Sequence, residues 1–315
     1  MARVGGQGGS RRTVLVALGA NASIAVAKAV AGVVSGSSAM LAEAAHSVAD
    51  TMNQVFLLAS LSLAERDADE EHPFGYGKER FFWAFLAAVG IFVAGAGFSF
   101  YEGFHRMFGP HQEESAYAIV YAVLAFSFAA EGISLIRAVR QTRGEAHERR
   151  QSSVGYVRAS RDPTTKTVLF EDSAAVVGVV VAAAGVGLHQ ATGNQVFDGL
   201  ASVAIGVLLV VVAFALGRDT RQLLIGEAAS PEERDAIRTV LQERSEVDDV
   251  VQLLTMALAP DRLLVAARVD LADGLTTDEV ERASSAIDEE LRTRVPGVWE
   301  VFLDATPGGE RPPRS

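Results

Sequence analysis

The chain has 315 residues, 49% of them hydrophobic, with a formal net charge of -11 and a positive mean hydropathy; it is too apolar for an ordinary soluble protein of this length and reads as a membrane protein. Cysteine is absent, which excludes disulfides, thiolate metal sites and cysteine nucleophiles. No G-x-x-x-x-G-K-[ST] phosphate loop and no H-E-x-x-H helix occurs, so ATP-driven pumping and intramembrane metalloprotease chemistry have no support and no enzyme is expected.

Six segments reach the roughly 20 residues that a bilayer core requires: about 13 to 35, 39 to 64, 81 to 107, 115 to 138, 166 to 188 and 197 to 217. Arg3, Arg11 and Arg12 precede the first in the manner of a signal peptide. The run exceeds a signal core and no small-residue cleavage site closes it, so a retained span is expected after a disordered 1–11. Only SGSS joins the first two segments, which makes them an antiparallel helical hairpin. Within the first, Lys28 is placed to neutralise Glu43 or Asp50 across the hairpin or to snorkel, and Asn21 to offer an oxygen ligand or an interhelical hydrogen bond.

The second span carries the chemistry. Glu43, His46, Asp50 and Asn53 recur at intervals of three and four, so on a helix they share one face. A charge near the middle of a span costs about 2.5 to 3.5 kcal/mol on insertion scales, which is tolerated where it meets a partner, a water-filled cavity or an ion. His46 and Asp50, one turn apart, present an imidazole nitrogen and a carboxylate oxygen to one point, a mixed pair better suited to Zn2+ or a neighbouring transition metal than to Mg2+ or Ca2+.

The following loop, ERDADEEHPFGYGKER, gathers Asp67, Asp69, Glu70, Glu71 and His72, either as a metal-gathering site or as a solvated acidic turn. Lys and Arg collect at the ends that an N-in, six-span topology assigns to the cytoplasm, while SGSS, GPHQEES and HQATGNQ carry none. Both termini are therefore expected in the cytoplasm of an integral protein of the cell (plasma or inner) membrane. His105 and Arg106, at the outer end of the third span, are expected to snorkel. Glu131 in the fourth span and Asp198 at the start of the sixth read as packing or boundary residues.

In the fifth span, TVLFEDSAAVV holds Glu171 and Asp172, whose side chains point about 100 degrees apart on a helix. One can face the His46 and Asp50 stripe, and Asp172 is the preferred inward residue with Glu171 as the alternate. Pairing the two helices would set one nitrogen and two or three oxygens around one ion. The other reading is that both carboxylates mark a helix start, where they suit the dipole.

After Arg218 the pattern becomes that of a small soluble domain. Ser230, Pro231 and Glu233 open a helix to about Arg244; strands of about 249 to 258 and 262 to 270 flank Pro260 and Asp261. Thr276 and Glu279 open a second helix to about Val295, and VWEVFLD supplies a last strand. The order αββαβ fits helices on one face of a mostly antiparallel sheet. From Arg218 onward acidic residues outnumber basic ones 21 to 12, which makes nucleic acid an unsuitable partner. The expected domains are thus 12–217 in the membrane, 218–305 in the cytoplasm, and a disordered tail at 306–315.

HSVAD in span two, HPFGYGKER after it, the SGSS hairpin, six spans and a C-terminal αββαβ domain together resemble the cation diffusion facilitator family of divalent-metal/proton antiporters, over about residues 12 to 305. LIGEA and FEDSAAVVG look like the branch that includes zinc transporter nine. The resemblance implies divalent-cation efflux, most readily of Zn2+ with Mn2+, Fe2+ or Co2+ behind it, by proton antiport and alternating access. It also implies a homodimer, a ferredoxin-like cytoplasmic domain, and a metal that is cargo rather than cofactor. The family's span-two pair maps onto His46 and Asp50. Its span-five His-x-x-x-Asp fits two registers: with Asp172 as the Asp, Val168 stands at the His position; with Asp172 at the His position, Val176 stands at the Asp. The first keeps a carboxylate on a carboxylate. Either register loses one ligand, and Glu171 is the residue available to compensate. Asp69 and His72 match positions that some bacterial relatives use for a second metal, but Tyr76 stands where a third ligand would be His. The competing expectation is a non-transporting membrane scaffold or regulator that keeps the fold.

Overall fold

The apolar runs form helices, and the computed structural model describes them over residues 7–110, 116–148 and 151–307. Two units separate: Met1–Leu63 with Glu79–Arg221, and Ala64–Lys78 with Gln222–Ser315. In the first, α1 spans Gln7–Ser35, α2 Ser38–Ala64, α3 Glu79–Gly90 and α4 Gly97–Phe108, the last two joined without a break by a π-helical turn, Ile91–Ala96. Next come α5 (Tyr117–Glu148), α6 (Ser153–Ala159), α7 (Pro163–Thr192) and α8 (Val196–Ile225). Helix α1 begins inside the segment expected to be disordered, because elongating a nucleated helix is cheap. The rest of that segment and nearly all of the expected tail lie outside the described residues.

The hairpin follows from its turn. Gly36 takes φ 75°, the left-handed conformation that ends a helix at little cost to glycine, and its N–H reaches Gly32 O at 2.8 Å. Across the bundle, α5 packs on α7 and α1, and Ala42, Ala49, Ala174, Ala182, Ile205 and Leu209 contribute to one buried core. Val30, Val93, Phe126, Val211 and Phe214 point outward and are more than half exposed, an apolar surface suited to lipid.

Among the described residues four helices are long and apolar enough to cross a membrane: Glu79–Phe108, Tyr117–Glu148, Pro163–Thr192 and Val196–Ile225. Of the other two expected spans, α1 is described as apolar over Asn21–Ser35, and α2 is less apolar than these four. The reason for α2 is its polar stripe: Glu43, His46 and Asn53 are buried within the bundle and dilute its hydropathy.

In the second unit, α9 (Pro231–Gln242), β1 (Val247–Ala259), β2 (Arg262–Leu271), α10 (Thr277–Arg294) and β3 (Val298–Ala305) follow the expected αββαβ order. Both expected capping boxes are present, Ser230 with Glu233 and Thr276 with Glu279. The sheet order is β1-β2-β3, with β1/β2 antiparallel and β2/β3 parallel, so it is mixed rather than mostly antiparallel. A tight turn at Pro260 and Asp261 reverses the chain into β2, whereas α10 crosses over and returns β3 in the direction of β2. Val265, Ala267 and Val269 on one face of β2 share a core with Ile237, Leu241, Ile287 and Leu291 of the two helices.

The loop between α2 and α3 belongs to this second unit. Phe74 meets Phe302 edge-on at 6.4 Å, and Gly77 lies so close to Leu258 and Ala259 that a side chain there would collide with both.

Candidate metal centre

Helix α2 carries the expected pair into the bundle. His46 Nε2 lies 3.4 Å from Asp50 Oδ2, with His46 2% and the Asp50 side chain 17% exposed. One turn further along, Asn53 Nδ2 donates to both carboxylate oxygens of Glu171 on α7, at 2.8 and 2.7 Å. Glu171, the alternate, is therefore the residue that reaches the α2 stripe, while Asp172 turns to α5 and accepts from Ser134 Oγ at 2.7 Å. Neither marks a helix start, since α7 begins two turns earlier, with Asp162 as its N-cap and Pro163 in its first turn.

Asp50, Asn53, Glu131, Glu171 and Asp172 all line one cavity of about 400 Å3, which also touches Asn21 and Val168. Its wall continues past Ser60 to Arg80, Arg137 and Pro163. These last residues stand at the Lys- and Arg-rich ends of the helices. The expected convergence of one nitrogen and two or three oxygens is not assembled: among the described residues no three His, Asp or Glu side chains lie within reach of one ion. Asn53 and Ser134 hold the two α7 carboxylates in separate hydrogen bonds, which keeps them from a common point.

Lys28 neutralises Glu43, as one expectation had it, at 2.9 Å, but its second partner is Glu131 of α5 at 2.7 Å rather than Asp50. Lys28 and Glu43 are wholly buried. Glu131 is thus more than a packing residue, and the signal for it was available: an ionisable side chain in an apolar span calls for a partner.

At the opposite end of α2, Asp198 is buried and accepts from Ser37 Oγ, Ser38 N, Ser38 Oγ and Ala39 N at 2.6, 2.6, 2.7 and 3.2 Å. Arg106 does not snorkel; it is 4% exposed, with Nε 3.6 Å from Asp198 Oδ2, because a buried carboxylate draws it inward.

In the second unit, Asp69 and His72 are about half exposed and stand 3.7 Å apart. The Asp69 oxygens are already engaged, one by His72 N–H and the other by Tyr76 Oη, both near hydrogen-bonding optimum at 2.7 and 2.6 Å. The Tyr76 bond, followed by the His72 N–H, holds the Asp69 carboxyl below the usual range.

A buried polar stripe facing a carboxylate-lined cavity inside a bundle of apolar helices is the arrangement of an ion-handling membrane protein, and residues 14–225 match the cation efflux transmembrane domain. The chain belongs to that family. It is 32% identical over 298 residues to the human (Homo sapiens) proton-coupled zinc antiporter SLC30A9, mitochondrial, covering 94% of this chain and 52% of the relative. It is 34% identical over 265 residues to metal tolerance protein C4 of Arabidopsis thaliana, covering 83% and 57%. The manganese efflux system protein MneP of Bacillus subtilis is 24% identical over 305 residues, covering 95% and 96%. The chain thus spans about half the length of the human and plant relatives.

Proposed function

We propose that this protein carries a divalent transition-metal cation, Zn2+ before Mn2+, Fe2+ or Co2+, out of the cytoplasm in exchange for protons. The observation that carries the reading is the 400 Å3 cavity, with carboxylates from α2, α5 and α7 on one wall or another and His46 one turn from Asp50. The cavity extends toward the Lys- and Arg-rich helix ends, while Asp198 fastens the SGSS end to α8; this supports an inward-facing state. The ligand halves sit on α2 and α7, so His46 and Asp50 with Glu171 or Asp172 close around the cargo when those helices move together. Because an imidazole ligand must be deprotonated, proton and metal compete for His46. The ion is cargo, not a resident cofactor.

The finer architecture belongs to the same reading: six spans with both termini in the cytoplasm, in the cell membrane, a ferredoxin-like domain after them, and a homodimer. The names of the relatives, a proton-coupled zinc antiporter and a manganese efflux system protein, point the same way. Val168, a residue without a ligand atom on the cavity wall, favours a second reading, a non-transporting scaffold. Purified protein in proteoliposomes, given a panel of divalent metals and an imposed pH gradient, separates the two. Metal uptake coupled to proton release is expected; no flux with any metal across the panel would overturn the transport reading.

A further inference from the structure

The ammonium of Lys28 stands between two carboxylates with different freedom. Glu43 is wholly buried, and a Cβ at Gly178 of α7 would strike its Oε1, so α7 backs it closely. Glu131, on α5, lines the cavity and keeps 15% of its side chain exposed. Lys28 Nζ reaches both, at 2.9 and 2.7 Å, from a flexible four-carbon stem with three donors. One side of the clasp is thus an anchor and the other a wall of the compartment where the cargo would sit.

Of the four carboxylates on that wall, Asp50 and Glu131 come from α2 and α5, and Glu171 and Asp172 from α7. Glu171 and Asp172 are met by neutral donors, Asn53 and Ser134, whereas Glu131 is met by a cation. A doubly charged ion entering the cavity attracts Glu131 and repels the ammonium beside it.

We propose that Lys28 is a tethered counter-cation that occupies Glu131 when the cavity holds no cargo and cedes it to the divalent ion, withdrawing onto Glu43. This rests on the efflux reading and adds Glu131 and Lys28 to it as residues that set affinity. Lys28 lowers the net attraction of the cavity for cations, so that bound metal can leave, and it makes loading depend on an ion of charge high enough to displace an ammonium. Glu43 receives the displaced charge, so the lysine is paired throughout the cycle and the cost of an unpaired buried charge is avoided.

The test is divalent-metal binding and flux by full-length protein in proteoliposomes, using Zn2+ and Mn2+ as probes. Lys28→Met combined with Glu43→Gln removes the tethered cation and its anchor together, leaving no orphaned charge at the anchor. The expected result is an apparent affinity about tenfold tighter with a lower maximal rate, since release is slowed. Glu131→Gln alone should weaken affinity severalfold, and in its background the Lys28→Met/Glu43→Gln pair should no longer tighten it. A merely structural role would lower affinity and rate together and would not depend on Glu131. If the double variant is not monodisperse, Lys28→Arg decides: a permanently charged fork that grips a carboxylate more firmly should weaken affinity, and unchanged affinity would overturn the proposal. Tightening that persists in Glu131→Gln would also overturn it, as would a folded double variant with unaltered affinity. A wild-type protein that neither binds nor moves divalent metal removes the efflux reading itself, whereas a working wild type with insensitive variants removes this proposal alone.

Discussion

Asp198, near the start of α8, accepts hydrogen bonds from both the backbone N–H and the hydroxyl of Ser38, the first residue of α2, at 2.6 and 2.7 Å. Ser37, just before α2, accepts from Met40 N–H at 3.2 Å as an ordinary cap does, while the N–H groups of Ser38 and Ala39 are met by a carboxylate from another helix, whose charge also complements the positive end of the dipole. The hairpin turn is thereby fastened to α8.

Removing that carboxylate leaves buried donors and Arg106 without it. Asp198→Ala is expected to destabilise the protein by about 3 to 5 kcal/mol, the range for breaking a buried ion pair. Asp198→Asn, which keeps one acceptor oxygen, should cost less. Thermal unfolding in detergent, followed by tryptophan fluorescence, checks the order of the two.

In the candidate centre, His46→Ala and Asp50→Ala should each lower metal-stimulated flux at least tenfold while leaving folded protein, equivalent to about 1.4 kcal/mol or more. Since Glu171 reaches the α2 stripe and Asp172 reaches Ser134, Glu171→Ala is expected to cost more than Asp172→Ala. The reverse order in proteoliposomes would show that the α7 carboxylates exchange roles when the ion binds.

Gly178→Ala places a methyl group against the Glu43 carboxylate, which Lys28 holds from the other side. Overpacking of this kind costs about 1 to 3 kcal/mol. A lower unfolding temperature is expected, and Glu43→Gln should not relieve it because the amide has the same bulk. An unchanged unfolding temperature would mean that the Glu43 carboxylate or α7 shifts aside at little cost.

Tyr76→Phe deletes the phenolic donor to Asp69, so the Asp69 carboxyl should rise back toward the ordinary value of about 3.9. A depressed carboxyl stabilises the loop above its unfolded value and loses that contribution as pH falls through its folded value, so the wild-type loop arrangement should persist at any pH above about 4. Carboxyl carbon shifts of Asp69 followed by NMR would read the wild type and Tyr76→Phe. In flux, Asp69→Ala with His72→Ala should change apparent affinity more than maximal rate if the loop gathers ions.

Local patterns were legible and long-range pairings were not. Spacing placed His46, Asp50 and Asn53 on one face of a helix, and hydroxyl, proline and glutamate spacing located both capping boxes, because those interactions span only a few residues. Nothing in the vicinity of Glu131 said that its partner lies 103 residues earlier, nor did the start of α8 show that Asp198 would serve Ser38 160 residues away. The choice between Glu171 and Asp172 was likewise open, since 100 degrees of helix rotation separates them and only the neighbour each meets assigns the inward one.

The apolar helices, the hairpin, the αββαβ order and the histidine-carboxylate pair of α2 could be read along the chain, as products of periodicity, turn chemistry and capping over a turn or two. Packing in three dimensions set the rest: the loop carrying Asp69 and His72 joins the C-terminal unit, β3 runs parallel to β2, Lys28 bridges Glu43 and Glu131, and Asn53 engages Glu171. The physical reason is that a buried charge must find a partner wherever packing brings one within about 3 Å, and packing sums contributions from the whole chain.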